Sequence, residues 1–192
     1  MKNSNFKENI QPTLVLVVIC LVMTFLLAFV NGITSPIIAS NSEKAANANR
    51  ALLLPEADGF EAISESDLYT QAEGQVWVED CYKATNGAGY VMTVKTKSFG
   101  GILTEMIGVD STGAITGVKV TAHGDTKGLG TKAHDSAYLD SQYVGKTALD
   151  NAANIKQDVN VEHVSGASIS SNGVYQGVCC ALTQIEKLGG AN

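Results

Sequence analysis

The sequence predicts an α+β protein, an antiparallel sheet with flanking helices, preceded by one N-terminal transmembrane helix. Three observations predict it. The stretch from Asn9 to Ser42 contains no Asp, Glu, Lys or Arg. Segments with a period of two succeed one another between Gln75 and Ala122, separated by turn residues. The C-terminal segment has a helical period, and strands followed by helices, rather than strict alternation of the two, mark the α+β class.

The first element is the anchor. Pro12 to Ile33 supplies the roughly 20 apolar residues that a membrane-spanning helix needs, and Leu14 to Val30 is interrupted only by Thr24. A cleaved signal peptide has an apolar region of about 7–15 residues and a small-residue cleavage site; this run is longer and has no clean site close behind it. Val17-Val18-Ile19-Cys20 lacks the small residue expected before a lipidated cysteine. Lys2 and Lys7 on one side are nearly balanced by Lys44 and Arg50 on the other, so charge alone barely favours an orientation. The expected organisation is a stub and transmembrane helix over residues 1–40 and one domain over 41–192.

Ser42 to Leu54 reads as a helix, with Ser42 as N-cap, Glu43 in the first turn and Pro55 closing it. Glu56 to Gly74 reads as loop and short helix. Gln75 to Ala84 alternates as a strand, Asn86-Gly87 signals a hairpin, and Gly89 to Lys97 returns. Ser98-Phe99-Gly100-Gly101 turns the chain into Ile102 to Val109, and Asp110 to Gly113 turns it again into Ala114 to Ala122. A loop over Gly124 to Gly130 breaks the meander. A short helix is expected over Ala133 to Leu139 and a last strand over Val159 to Val164. The C-terminal helix is expected from Ser171 to Leu188, with Val174, Val178, Ala181, Leu182, Ile185 and Leu188 on one face, and Gly189-Gly190 stopping it.

Composition narrows the partners. Beyond residue 40, 11 basic residues stand against 18 acidic ones, a net charge of about −7, which argues against nucleic acid. Cys20, Cys81, Cys179 and Cys180 form no Cys-x-x-Cys pair, so a zinc or iron–sulfur site is not expected, and Cys179 and Cys180 read as packing residues. His123, His134 and His163 have no metal-ligand spacing. Without a Gly-x-Gly-x-x-Gly fingerprint, no dinucleotide site is expected.

The chemistry concentrates in Glu162-His163-Val164-Ser165-Gly166-Ala167-Ser168, which leads into the last helix. Backbone N–H groups at a helix N-terminus, with the helix dipole, favour an anion such as phosphate, and Gly166 and Ala167 admit a bulky ligand close to the backbone. A serine hydrolase would need Gly-x-Ser-x-Gly, and Gly166-Ala167-Ser168-Ile169-Ser170 fails at its last position. The plain alternative is a helix cap made by Ser168, Ser170 or Ser171. A second segment, Gly124-Asp125-Thr126-Lys127-Gly128-Leu129-Gly130, reads by itself as a structural turn.

Together these segments resemble a known family. Ser165-Gly166-Ala167-Ser168 is similar to the flavinylation signature Asp-x-x-Ser/Thr-Gly-Ala-Thr/Ser, with Glu162 in place of Asp and Ser168 in place of the commoner Thr. Asp125 to Gly130 resembles the Glu-Thr-Pro-Gly-Leu-Gly loop of two kinds of FMN-binding domain, that of the Rnf electron-transport complex (its G subunit) and that of the sodium-pumping quinone reductase (its C subunit), with Lys127 in place of Pro. Gly89-Tyr90, Gly108-Val109-Asp110, Gly113 to Val118 and Tyr143-Val144-Gly145-Lys146 resemble the family's sheet and following segment. The resemblance covers nearly the whole chain, and the length favours the Rnf member of the pair. It implies FMN joined covalently to Ser168 by a phosphoester, with Ser165, Gly166 and Ala167 around the attachment point and Asp125, Thr126, Gly128, Leu129 and Gly130 against the flavin. It implies an electron-relay subunit of a membrane-bound ion-translocating ferredoxin:NAD oxidoreductase. The other Rnf membrane subunits would be its partners, and a separate flavin transferase would mature it. The N-terminus would be cytoplasmic and the FMN domain extracytoplasmic. An extracytoplasmic flavin carrier outside any Rnf complex, and a non-redox anchored binding module, remain the alternatives.

Overall fold

The computed structural model describes residues 4–71 and 75–189. Residues 72–74 of the expected loop and Gly190 of the expected helix stop lie outside them. The chain divides into two compact units at Asn47 and Ala48. Helix α1 runs without a break over Ser4–Leu53, with Pro12 and Pro36 inside it. The expected anchor and the expected helix from Ser42 are therefore one element, and Ser42 is no cap. Pro36 removes a single N–H from the helical ladder, and the Thr34 hydroxyl donates to the Val30 carbonyl at 2.9 Å one turn earlier. In the most apolar stretch of this helix no side chain is buried, as expected of a surface made for lipid.

The second unit is built on a five-stranded antiparallel meander in the order β1-β2-β3-β4-β5. Its strands are β1 Phe60–Ala62, β2 Trp77–Ala84, β3 Gly89–Ser98, β4 Gly101–Asp110 and β5 Ile115–Ala122. The four longer strands follow the alternation of the sequence, while β1 forms inside the segment expected as loop and pairs Phe60 with Ala84. Helix α2 covers Ser136–Tyr143, capped by the Asp135 side chain. It starts later than expected because a 3-10 turn occupies Gly130–His134. Helix α3, Ser168–Lys187, lies against β3 and β4.

The main core fills the space between one sheet face and α3. Val174, Val178, Ala181, Leu182 and Ile185 are buried there, as the helical period requires, together with Cys179 and Cys180. Burial pushes both thiols up to about 12, so they pack as apolar groups. Gln184 holds the 65–69 segment on this helix, accepting from Tyr69 N–H at 2.6 Å and donating to the Asp67 carbonyl at 2.9 Å. On the other face Leu53 and Leu54 pack with Val91 and Met106, and the Arg50 guanidinium stacks 3.6 Å over the Tyr82 ring.

Val159 to Val164 is not a strand. Its backbone is bound by side chains instead. Asp158 accepts from Asn160 N–H at 2.8 Å, Gln142 from Glu162 N–H at 2.8 Å, and the Ser171 hydroxyl from Val164 N–H at 3.0 Å. Such local bonds compete with a ladder for the same backbone groups.

Candidate functional site

Three pieces of chain meet at the β3–β4 end of the sheet. Gly100 in the β3–β4 turn and Gly124 after β5 touch backbone to backbone, since a Cβ at Gly100 would fall 2.1 Å from the Gly124 carbonyl carbon. Beyond Gly124 the chain curls tightly. Leu129 N–H donates to the Thr126 carbonyl at 3.2 Å and Gly128 N–H to the Thr131 hydroxyl at 2.9 Å, and Gly128 has φ +79°. The curl ends at Gly130, pressed so close to the first turn of α3 that a Cβ there would lie 3.0 Å from Ser170 Oγ. The third piece is Gly166-Ala167-Ser168, with Gly166 at φ +81°.

Between them lies a cleft of about 310 Å³ lined by Phe99, Thr126, Leu129, Gly130, Gly166, Ala167, Ser168, Ile169 and Ser170. That volume is at the lower end of the range for small-molecule sites. Its rim is apolar: Phe99 is 71% exposed, Ile169 58% and Leu129 48%. Helix α3 starts at Ser168, one turn earlier than the sequence predicts. Its N-cap is Ala167, which makes no side-chain cap. Ser168 is thus inside the first turn and is no N-cap. Among the described residues its hydroxyl makes no hydrogen bond, while Ser171 accepts from Val164 N–H and Ser170 is buried. An uncapped helix start presents unpaired N–H groups to an anion.

Asp125 is buried behind the cleft. It accepts from Gly100 N–H at 2.6 Å and from the Ser98 hydroxyl, and His134 Nε2 lies 3.0 Å from its Oδ2 in a close contact that is off the line of a hydrogen bond. Burial by itself would raise this carboxyl. Hydrogen bonding from Ser98, Gly100 and Ser170 and the nearby His134 outweigh it and hold the group below the ordinary carboxylate range. His134 is lowered by burial first and then by His123, whose ring centroid is 4.5 Å from its own, against the opposing pull of Asp125.

The structure thus brings together six of the residues singled out in the sequence: Thr126, Leu129, Gly130, Gly166, Ala167 and Ser168. Asp125, Gly128 and Ser165 do not line the cleft. Asp125 braces it from behind, Gly128 shapes the curl, and Ser165 is exposed beside it. Sequence reasoning missed Phe99, Ile169 and Ser170 as lining residues. Ile169 carried a signal, since it falls off the buried face of Val174, Val178 and Ile185, and so did Phe99, an aromatic at a glycine-rich turn.

Residues 99–183 match the family model of the FMN-binding domain, and every residue lining the cleft falls within that match. Fold and match together point to a class that the chain resembles: α+β proteins with an FMN-binding domain, here behind a helix long and apolar enough to cross a membrane. More particularly, the chain is similar to the G subunits of ferredoxin:NAD(+) oxidoreductase complexes, as its motifs imply. It is 25% identical to the G subunit of the proton-translocating complex of Clostridium ljungdahlii, over 88% of each chain. It is 28% identical to its counterpart in the Na(+)-translocating complex of Acetobacterium woodii, over 96% of this chain and 95% of the other. It is also 28% identical to the G subunit of the ion-translocating oxidoreductase complex of Stutzerimonas stutzeri, over 67% of this chain and 56% of the other. Among solved structures it is similar to Shewanella oneidensis NqrC, with 20% identity over 66% of this chain and 69% of the other and a TM-score of 0.48.

Proposed function

We propose that this chain is the electron-relay subunit of a membrane-bound, ion-translocating ferredoxin:NAD oxidoreductase of the Rnf type, carrying FMN as a phosphoester of Ser168. The observation that carries the reading is the Ser168 hydroxyl. It is half-exposed and engaged by no hydrogen bond among the described residues, at an uncapped helix start on the wall of an apolar cleft inside the FMN-domain match. The residues fit the group. The helix start suits a phosphate, and the apolar rim of Phe99, Leu129 and Ile169 suits a flat ring. When bound, FMN supplies the redox chemistry through its isoalloxazine. The chain positions it: Ser168 fixes the phosphate end, the apolar rim shields the ring from water, and Asp125 holds the walls together. The remaining subunits of the complex are its partners, and a flavin transferase using FAD attaches the group on the extracytoplasmic side.

The test is co-expression of the full chain with a flavin transferase, followed by denaturation and removal of small molecules. Flavin absorbance that stays with the denatured chain supports the reading. Its complete loss on denaturation argues for non-covalent FMN, and no flavin before denaturation argues for a non-redox module.

A further inference from the structure

The cleft has a charge behind one wall. Asp125 is 7% exposed and lines no part of the cleft. A Cβ at Gly130 would lie 2.8 Å from Asp125 Cβ and 3.2 Å from its Cγ, so a single thickness of backbone separates the carboxylate from the space that Gly130 lines. Its partners come from three directions: Gly100 N–H and the Ser98 hydroxyl at the β3–β4 turn, Ser170 in α3, and His134 in the 3-10 turn. Three of them are neutral groups. They stabilise a negative charge at this point without cancelling it.

We propose that Asp125 is a positioning residue that also sets the flavin's potential, its charge behind the Gly130 wall disfavouring electron density added to a ring in the cleft. The inference rests on the FMN reading above. Two electrons and one proton added to an isoalloxazine leave it with one net negative charge. A second negative charge close by, across one thickness of backbone rather than water, opposes that addition and lowers the midpoint potential. The carboxyl is held below the ordinary carboxylate range and is ionised at neutral pH. Burial and His123 push the His134 imidazole down, so near neutral pH it leaves the charge largely uncompensated.

The experiment is a spectroscopic redox titration, at neutral pH, of the full chain carrying covalent FMN, with dithionite as reductant. Three proteins are compared: the parent chain, Asp125→Asn, which keeps the shape and removes the charge, and Ser98→Ala, which loosens the same bracing and keeps the charge. The potential is read on the flavin-bearing fraction of Asp125→Asn. Its potential should rise by at least a tenfold gain in the two-electron reduction equilibrium, about 30 mV, with less than half that shift in Ser98→Ala. Equal potentials in parent and Asp125→Asn overturn the proposal, and so do equal shifts in both variants, which would mark a packing effect. Should Asp125→Asn fail to fold, Asp125→Ser takes its place. Failure of both makes Asp125 a purely structural residue and also overturns the proposal. A parent chain without covalent flavin overturns the FMN reading itself, which the parent sample reports separately.

Discussion

Three hydroxyls crowd the first turn of α3, and their surroundings give them different work. Ser170 is buried against Asp125, and Ser171 accepts the Val164 N–H at 3.0 Å. Ser168→Ala is expected to abolish covalent flavin, and Ser170→Ala and Ser171→Ala are expected to keep it. Ser171→Ala instead leaves the Val164 N–H without its partner and should cost about 1–3 kcal/mol in denaturant unfolding. An unchanged midpoint would show that water replaces the bond. Glu105 makes a different prediction. It is fully buried on β4 with neither carboxyl oxygen bonded, and burial pushes its carboxyl well above the ordinary 4.5. The folded protein keeps it neutral at pH values where the unfolded chain ionises it. Its contribution to stability is therefore fully present below 4.5 and is lost as pH rises towards the folded value, by up to about 1.4 kcal/mol per pH unit. Glu105→Gln should remove that part of the pH dependence in unfolding curves taken across the range. Identical slopes in parent and variant would contradict it.

At the scale of elements, α3 and the Asp125–Gly130 curl decide the site. A Cβ at Gly173 would lie 2.8 Å from the Lys97 carbonyl oxygen, a backbone atom of β3 that cannot swing aside. Gly173→Val should lift α3 from the sheet, destabilise the fold by about 1–3 kcal/mol and weaken the cleft; an unchanged thermal midpoint would contradict this. Gly128 works differently, because a Cβ there meets nothing within 4 Å but φ is +79°. Gly128→Val strains the curl rather than filling the cleft, costs about 1–3 kcal/mol and should alter the flavin spectrum by shifting Leu129 and Gly130. A normal spectrum with a normal midpoint would make the curl incidental. The meander was legible because alternation, Asn86-Gly87 and Asp110 to Gly113 agree on every turn. The buried face of α3 was legible from its period. What was not legible depends on partners distant in sequence. Val159 to Val164 alternates like a strand, yet Gln142, Asp158 and Ser171 take its backbone bonds. Ser42 has the chemistry of a cap, but α1 passes through it. The start of α3 at Ser168 coincides with the packing of Gly130 on Ser170, a contact between segments distant in sequence.

For the whole molecule, the proposed reading is a membrane-crossing helix followed by a domain outside the cytoplasm. The two compact units meet in sequence at Asn47 and Ala48, beyond the run from Pro12 to Ile33. Single cysteines placed at Asn5 and Asn192, in a background without the native cysteines, should report the orientation. A membrane-impermeant reagent is expected to label position 192 and spare position 5, and the reverse would put the flavin domain in the cytoplasm. The central claim is the bond at Ser168, and its most direct test is fragmentation mass spectrometry of the tryptic peptide 157–187, which holds Ser165, Ser168, Ser170 and Ser171 together. The account predicts one FMN on that peptide, placed on Ser168 by the fragments. FMN on any of the other three serines, or a peptide that stays unmodified while flavin remains bound to the chain, would contradict it.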